Sequence, residues 1–177
     1  MATRREIFLQ LVAVATECYP DVEARQIAEM ILLAKGNITR NDLLIEPNKE
    51  LQITDLEAVF EELRSWRPVQ HIVGKAEFAD MELTVREGVL IPRPETELLC
   101  EKAIAHLKKS GGGFADLCAG SGCIGITVAR QTGEKCISVE LSEKAFSYLE
   151  RNIAHNDAEK FITAVKGDIF DKSIIKK

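Results

Sequence analysis

The stretch Phe114-Ala-Asp-Leu-Cys-Ala-Gly-Ser-Gly-Cys-Ile-Gly125 decides the fold of this chain. A short apolar run ends at Asp116, a loop of small residues follows, and apolar residues then recur at helical spacing from Ile124. This order predicts a strand, a tight turn and a helix. Gly120 and Gly122 have no Cβ, so the turn can adopt positive φ and a ligand can approach its backbone. Because such turns are also common without a ligand, the rest of the chain has to decide between the two readings.

Strands and helices alternate on both sides of this turn. Before it we predict a helix over 94–109, with Leu98, Leu99, Ala103, Ile104 and Leu107 facing inward. After it we predict a strand over 136–140, a helix over 142–155 and a strand over 161–165. This alternation is typical of an α/β protein with a parallel, doubly wound sheet.

The first part of the chain has a different pattern. Residues 1–66 are predicted to form a small helical bundle, with helices over 3–18, 21–35, a short stretch after Thr39, and 54–66. Thr54-Asp-Leu-Glu57 matches a capping box at the start of the last of these. Residues 67–93 are predicted to form a linker with a β-hairpin that turns at Ala79-Asp80.

Composition argues against several classes of function. The chain has 177 residues, a net charge of -5, and five cysteines without a Cys-x-x-Cys pair, which favours reduced thiols in the cytoplasm. No apolar run reaches the roughly 18 residues of a membrane span. No cluster of Lys and Arg indicates direct nucleic-acid binding. The three histidines match no metal-ligand spacing, so no metal site is expected.

Three carboxylates follow the predicted strands. Asp116, Glu140 and Asp168 lie at the ends of successive strands, and ligands of such sheets bind outside those ends. Glu140 could accept hydrogen bonds from both ribose hydroxyls, and Asp168 from an adenine amino group, with Ile169 against the adenine face. The sequence therefore predicts a nucleoside site.

Two nucleoside ligands fit this prediction. Gly120-x-Gly122-x-x-Gly125 matches the dinucleotide fingerprint, which would indicate an NAD or FAD oxidoreductase domain. However, Asp116 directly precedes the loop and would repel a pyrophosphate. S-adenosylmethionine carries a sulfonium and an ammonium group, which a nearby carboxylate attracts. The charge of Asp116 favours this methyl donor, and the dinucleotide remains the alternative.

Three motifs carry a family resemblance. Ile91-Pro-Arg-Pro-Glu-Thr-Glu97, Asp116-Leu-Cys-Ala-Gly-Ser-Gly-Cys123 and Gly167-Asp-Ile-Phe170, in this order behind a helical bundle, resemble the peptide chain release factor glutamine N5-methyltransferases. The resemblance implies a Rossmann-like class I methyltransferase sheet and a cytoplasmic enzyme. It also implies that residues 1–66 dock a release factor and that residues 94–177 bind S-adenosylmethionine.

The resemblance further implies a role for individual residues. The loop would hold the methionine and nucleoside parts of the donor, Glu140 the ribose, and Asp168 with Ile169 the adenine. The segment from Arg93 to Glu97 would shape the pocket at the methionine end. Together with Asp116, the predicted cofactor-binding residues are Arg93, Thr96, Asp116, Cys118, Ala119, Gly120, Ser121, Gly122, Glu140, Asp168 and Ile169.

The sequence departs from the family pattern at three points. Cys118 replaces the usual first glycine of the loop, and its Cβ must avoid positive φ or accept strain. Glu140 replaces the more usual aspartate. The family's Asn-Pro-Pro-Tyr motif, which positions the glutamine amide, does not occur in residues 1–177.

The missing motif determines what we expect of this chain by itself. No catalytic residue is predicted within it, and we expect an amino-terminal portion that binds the donor weakly and does not turn over. The sheet should be incomplete, leaving the strand at Phe114 as an edge through which chains could self-associate. A non-catalytic module that binds release factors is a further alternative.

Overall fold

The computed structural model describes residues 2–171. The chain divides into two compact units, Met1–Val73 and Gly74–Lys177. The divide falls inside the predicted 67–93 linker. No helix among residues 2–171 is both long and apolar enough to cross a membrane.

The described part of the first unit is a helical bundle, as predicted. Its helices are α1 (Arg4–Ala15), α2 (Asp21–Gly36), α3 (Arg40–Ile45), α4 (Leu56–Arg64) and α5 (Val69–Val73). α1 packs along α2 and α4, and α5 packs on α2. Leu11, Ile31, Leu32 and Leu63 are completely buried in the core between them. α5 was not predicted from the sequence. It follows Pro68, a residue type that favours a helix start because its φ is already helical.

The helix starts in this unit differ from the prediction at one point. The predicted capping box at Thr54 does not form, because α4 begins one residue later, with Asp55 in the left-handed conformation as its N-cap. The third residue of the helix is then Ala58, which has no carboxylate to accept a hydrogen bond from the backbone N–H of the N-cap residue. Capping boxes do form at Thr3 and Thr39, which pair with Glu6 and Asp42.

The second unit begins with the predicted hairpin and continues into a parallel sheet. Its elements are β1 (Lys75–Phe78), β2 (Met81–Thr84), α6 (Glu95–Ser110), β3 (Phe114–Leu117), α7 (Cys123–Thr132), β4 (Cys136–Glu140), α8 (Glu143–His155) and β5 (Ile162–Lys166). β1 and β2 are antiparallel, and both turn residues, Ala79 and Asp80, have positive φ. Two such residues are characteristic of the type I′ turn that suits a hairpin.

The three strands of the main sheet lie side by side in the order β3-β4-β5, and all are parallel. α7 and α8 pack on this sheet, with Ile126, Val128 and Leu149 completely buried in the core. On the opposite face, Leu117 is 56% exposed and Ile137 40% exposed. Among residues 2–171, β3 has a partner strand on one side only.

α6 buries only part of the predicted face. Ile104 and Leu107 are buried as predicted, and Cys100 is buried as well, whereas Leu98 and Leu99 are 60% and 54% exposed, contrary to the prediction. α6 packs against α7, and that contact selects the buried side of the helix. Spacing alone could not choose between two partly apolar sides of the same helix.

Candidate functional site

The loop between β3 and α7 is held in an uncommon backbone conformation. Cys118, Gly120 and Gly122 have φ values of 62°, 56° and 82°. For Cys118 the structure therefore takes the strained alternative, at a cost of about 1–3 kcal/mol for a residue with a Cβ in this region. Strain of this kind persists only where the surroundings determine the conformation strongly.

The two glycines of the loop have different surroundings. A Cβ built on Gly122 would lie 2.6 Å from Cδ1 of Leu149 on α8, so the loop is pressed against that helix here. A Cβ on Gly120 would have no heavy atom within 4 Å. The loop is consequently anchored at Gly122 and open to its surroundings at Gly120.

Asp116 lies behind the loop and is only 7% exposed. Its Oδ2 accepts a hydrogen bond from the backbone N–H of Gly125, at 2.9 Å, in the first turn of α7. The N-cap residue of that helix, Gly122, has no side chain, so Asp116 takes over the capping function. Burial raises the pKa of Asp116, the Gly125 hydrogen bond opposes this shift, and the charge of Glu140 adds to it.

Asp116 also explains the third glycine of the fingerprint. A Cβ on Gly125 would lie 2.8 Å from Oγ of Ser138 and 3.0 Å from Oδ2 of Asp116. Gly125 therefore lets α7 approach the strands closely enough for the capping hydrogen bond. The Gly120-x-Gly122-x-x-Gly125 pattern thus has a packing explanation that needs no dinucleotide.

Glu140 joins the loop to the start of α8. Its Oε2 accepts from the backbone N–H of Gly120 at 2.8 Å, and its Oε1 accepts from that of Ser142 at 2.8 Å. Ser142 is the N-cap of α8. The longer side chain of glutamate reaches both backbone groups from the end of β4. Since each carboxylate oxygen has two lone pairs, one remains on each for a further donor.

Asp168 and Ile169 lie beyond the end of β5, which stops at Lys166 rather than at Asp168. The backbone N–H of Gly167 donates to the carbonyl of Glu140 at 3.0 Å, which keeps this segment beside β4. Asp168 is exposed and accepts from the N–H of Phe170 at 2.9 Å, and Ile169 is half-buried. The parallel sheet therefore brings Asp116, Glu140 and the segment of Asp168 to the same edge.

The other predicted residues have less defined positions. Within the loop, Ala119 and Ser121 are buried, and Cys118 is exposed. Arg93 is exposed and Thr96 half-buried, close to the start of α6. Among residues 2–171, no hydrogen bond joins the side chain of Arg93 or Thr96 to the loop, so their place at the site stays a prediction.

The sequence analysis missed Asn152 of α8, which is completely buried and donates to the carbonyl of Ser121 at 2.9 Å. The sequence does contain a signal for this residue, because Asn152 lies between Leu149 and Ile153 in the apolar stripe of α8. A polar residue in such a stripe usually has buried hydrogen-bond partners.

Two described cavities lie beside the hairpin turn, and their lining residues do not include the glycine loop. One of about 560 Å³ surrounds the hairpin turn, and one of about 420 Å³ lies between that turn, α6 and α7. Both are lined by Ala79, Asp80 and Glu97. Within residues 2–171 no group of histidine, cysteine and carboxylate side chains could hold a metal ion.

Comparison with known proteins gives consistent matches. The TRM5/TYW2 methyltransferase domain family matches residues 96–175. A release factor glutamine methyltransferase of Thermodesulfovibrio yellowstonii is 36% identical over 124 residues, which are 68% of this chain and 44% of the relative. One of Chlorobaculum tepidum is 35% identical over 161 residues, covering 85% of this chain and 55% of the relative.

Among solved structures, the tRNA m1G37 methyltransferase of M. jannaschii can be superposed on this chain with a TM-score of 0.47 and 18% sequence identity. The superposed region is 55% of this chain and 30% of the M. jannaschii chain. A score this low supports no argument about function. The sequence matches are stronger, although the chain spans only about half the length of the curated relatives it matches. The chain is therefore related by sequence to the family of release factor glutamine methyltransferases, and it corresponds to about half of the length of its members.

Proposed function

We propose that this chain forms the donor-binding part of an S-adenosylmethionine-dependent methyltransferase that methylates the side-chain nitrogen of a glutamine in a peptide chain release factor. Two kinds of observation support this proposal. The curated relatives carry the corresponding name, and the strand ends of the second unit present carboxylates around an open glycine loop. Because the chain spans about half of those relatives, the activity and partner of the whole protein are part of the proposal.

The residues of the site fit S-adenosylmethionine. The space beside Gly120, where a Cβ would meet no heavy atom within 4 Å, lets a ligand reach the loop backbone. Glu140 retains a lone pair on each oxygen for the two ribose hydroxyls. Asp168 is exposed next to half-buried Ile169, an arrangement suited to an adenine amino group and ring face.

The observation that carries the choice of ligand is the hydrogen bond from Gly125 to Asp116. A pyrophosphate would bind to the free N–H groups and positive dipole at the start of α7. Here a carboxylate already accepts from one of those groups and places negative charge behind the loop. With Glu140 on the other side of the loop, the site attracts a cation and disfavours a dinucleotide.

When bound, S-adenosylmethionine supplies a methyl group on a sulfonium. In our proposal Glu140 holds the ribose, Asp116 contributes negative charge near the cationic end, and Arg93 and Thr96 border the methionine end. The acceptor amide is a poor nucleophile because its lone pair is delocalised, so it has to be oriented towards the methyl group. Residues 1–177 contain no Asn-Pro-Pro-Tyr for that task. We therefore expect this chain by itself to bind the donor without transferring the methyl group.

The division of labour along the chain follows the same proposal. Residues 1–66 dock the release factor, 67–93 connect, and 94–177 bind the donor. The five cysteines are free, which agrees with a reducing cytoplasm. Among residues 2–171, one side of β3 has no partner strand, which would give this chain a route to self-association.

The proposal can be tested by nuclear magnetic resonance titration of the labelled chain, which detects weak binding. S-adenosylmethionine should shift the amide signals of Gly120 and Gly122, and NADH should not. In Glu140→Gln the ligand loses a charge-assisted partner worth about 1.5–3 kcal/mol, so affinity should fall by at least about tenfold. The same change at Glu150, which is exposed on α8, should leave affinity unaltered.

Binding of NADH in place of the methyl donor would overturn the proposed cofactor. Equal donor affinity in Glu140→Gln and wild type would overturn the proposed site. Capture of a release factor by this chain tests the docking role separately. If a full-length relative that carries the same site captured the factor but did not methylate it, the binding-module alternative would replace the enzyme.

A further inference from the structure

Three consecutive residues of the glycine loop are held by one segment of the chain, the β4–α8 segment from Glu140 to Asn156. Glu140 accepts from the N–H of Gly120, and Leu149 packs where a Cβ of Gly122 would lie. The residue between them, Ser121, is held by its carbonyl, which accepts from Nδ2 of Asn152 at 2.9 Å. The loop thus has both a backbone donor and a backbone acceptor tied to this segment.

Asn152 makes two further hydrogen bonds, and both go to β2 of the hairpin. Its Oδ1 accepts from the N–H of Thr84 at 2.7 Å, and its Nδ2 donates to the carbonyl of Thr84 at 3.1 Å. The amide therefore pairs with Thr84 as a neighbouring strand would. All its contacts are made without exposure to solvent, since Asn152 is 0% exposed.

Asn156, the C-cap residue of α8 and one turn beyond Asn152, serves as an internal comparison. It is also buried, and its Nδ2 donates to the carbonyl of Glu82 on the same strand at 3.1 Å and to the carbonyl of Asn152 at 3.0 Å. Both asparagines thus form hydrogen bonds with backbone groups on the edge of β2 that does not pair with β1. Among the described contacts of these two side chains, only those of Asn152 reach the glycine loop.

We propose that Asn152 is a positioning residue of the donor site: it sets the conformation of the loop through the carbonyl of Ser121 and couples that conformation to the hairpin through Thr84. This inference rests on the proposed function, because the loop is the part of the chain assigned to donor binding. Asn152 itself does not touch the donor. A buried carbonyl that loses its donor would have to move or remain unpaired, so the conformation of the loop at Ser121 depends on this side chain.

Three variants separate positioning from general stability. Asn152→Ala removes all three hydrogen bonds. Asn152→Asp, studied at a pH where the new carboxyl group is ionised, keeps an oxygen for the N–H of Thr84 but has no donor for the carbonyl of Ser121. Asn156→Ala is the matched control. It removes a buried side-chain amide at the end of α8 that also bonds to β2 but makes no direct contact with the loop.

The first measurement is hydrogen exchange of the backbone amides, which needs no donor. In Asn152→Ala the amides of Thr84, Gly120 and Gly122 should each exchange about tenfold faster relative to those of the first unit. In Asn152→Asp the amide of Thr84 should stay protected while the loop amides exchange faster. In Asn156→Ala the loop amides should exchange as in wild type once global stability is taken into account.

The second measurement is titration with S-adenosylhomocysteine. Donor-site affinity should fall about tenfold in both Asn152 variants and less than twofold in Asn156→Ala, since one lost positioning hydrogen bond is of that order. Loop exchange and affinity that are the same in Asn152→Asp as in Asn156→Ala would overturn the inference. If wild type bound no donor but the exchange pattern held, the proposed function would fail while the loop-positioning part of the inference stood.

Discussion

Alanine should have a different main effect at each of the two loop glycines: on donor binding at Gly120 and on stability at Gly122. Gly120→Ala adds a methyl group in open space, at a residue with φ of 56°. Gly122→Ala adds one 2.6 Å from Cδ1 of Leu149 and 3.1 Å from Cδ1 of Ile126, at φ of 82°. Gly133, at the end of α7, provides the control, because it has φ of 77° and also has no heavy atom within 4 Å of a built Cβ.

The magnitudes follow from these environments. A left-handed alanine costs about 1–2 kcal/mol, so Gly120→Ala and Gly133→Ala should lower the free energy of unfolding by similar amounts. Gly122→Ala pays the same backbone cost and in addition overpacks a buried contact, which costs about 1–3 kcal/mol more. Its total of about 2–5 kcal/mol is a large part of the 5–15 kcal/mol that stabilises a typical domain.

Donor binding should rank the variants differently. The methyl group of Gly120→Ala projects into the space that we assign to the donor, so affinity should fall by at least about tenfold, the equivalent of 1.4 kcal/mol. Gly133→Ala lies at the other end of α7 and should bind as wild type does. Urea unfolding with linear extrapolation measures the stability of each variant, and titration with S-adenosylhomocysteine measures its affinity.

Two results would refute this reasoning. If Gly120→Ala bound the donor as tightly as Gly133→Ala, the open side of the loop would not be the donor site. If Gly122→Ala were no less stable than Gly133→Ala, the close packing of the loop against α8 would not exist in solution.

Two further predictions concern titratable groups. Burial raises the pKa of the Cys100 and Cys136 thiols to about 11. At pH 8 a thiol reagent should therefore label exposed Cys118 first and react with those two only after unfolding. Cys118→Ser should remove the fast phase of labelling, and a fast phase that persisted in this variant would contradict the prediction. Burial also raises the pKa of Asp116 above its usual 3.8, so the native state holds this proton more tightly than the unfolded state. The stabilisation that results from this tighter proton binding is then fully present below pH 3.8. It is lost as the pH rises through the raised pKa of Asp116. Asp116→Asn should therefore gain stability relative to wild type between pH 4 and pH 7 in urea unfolding, and a constant difference would show that the pKa is not raised.

The order of elements could be predicted from the sequence because each depends on local spacing. Apolar periodicity located the bundle, the hairpin and the alternating strands, and the positive φ values at Ala79 and Asp80 match the predicted turn. Local patterns failed where two neighbouring residues compete for one role. Thr54 and Asp55 both suit a helix cap, and only the packed bundle decides that α4 starts after Asp55.

The sequence by itself determined that Asp116, Glu140 and Asp168 lie at or just beyond the ends of strands of a parallel sheet, and hence that these carboxylates lie near one edge. Only the tertiary structure decided what each carboxylate does: Asp116 caps α7 through Gly125, and Glu140 holds Gly120 and Ser142. It also revealed Asn152, whose partners Thr84 and Ser121 lie 68 and 31 residues away in the chain. The reason is physical: periodicity reports which side of an element is buried, whereas the partner of a buried polar atom depends on how distant segments pack.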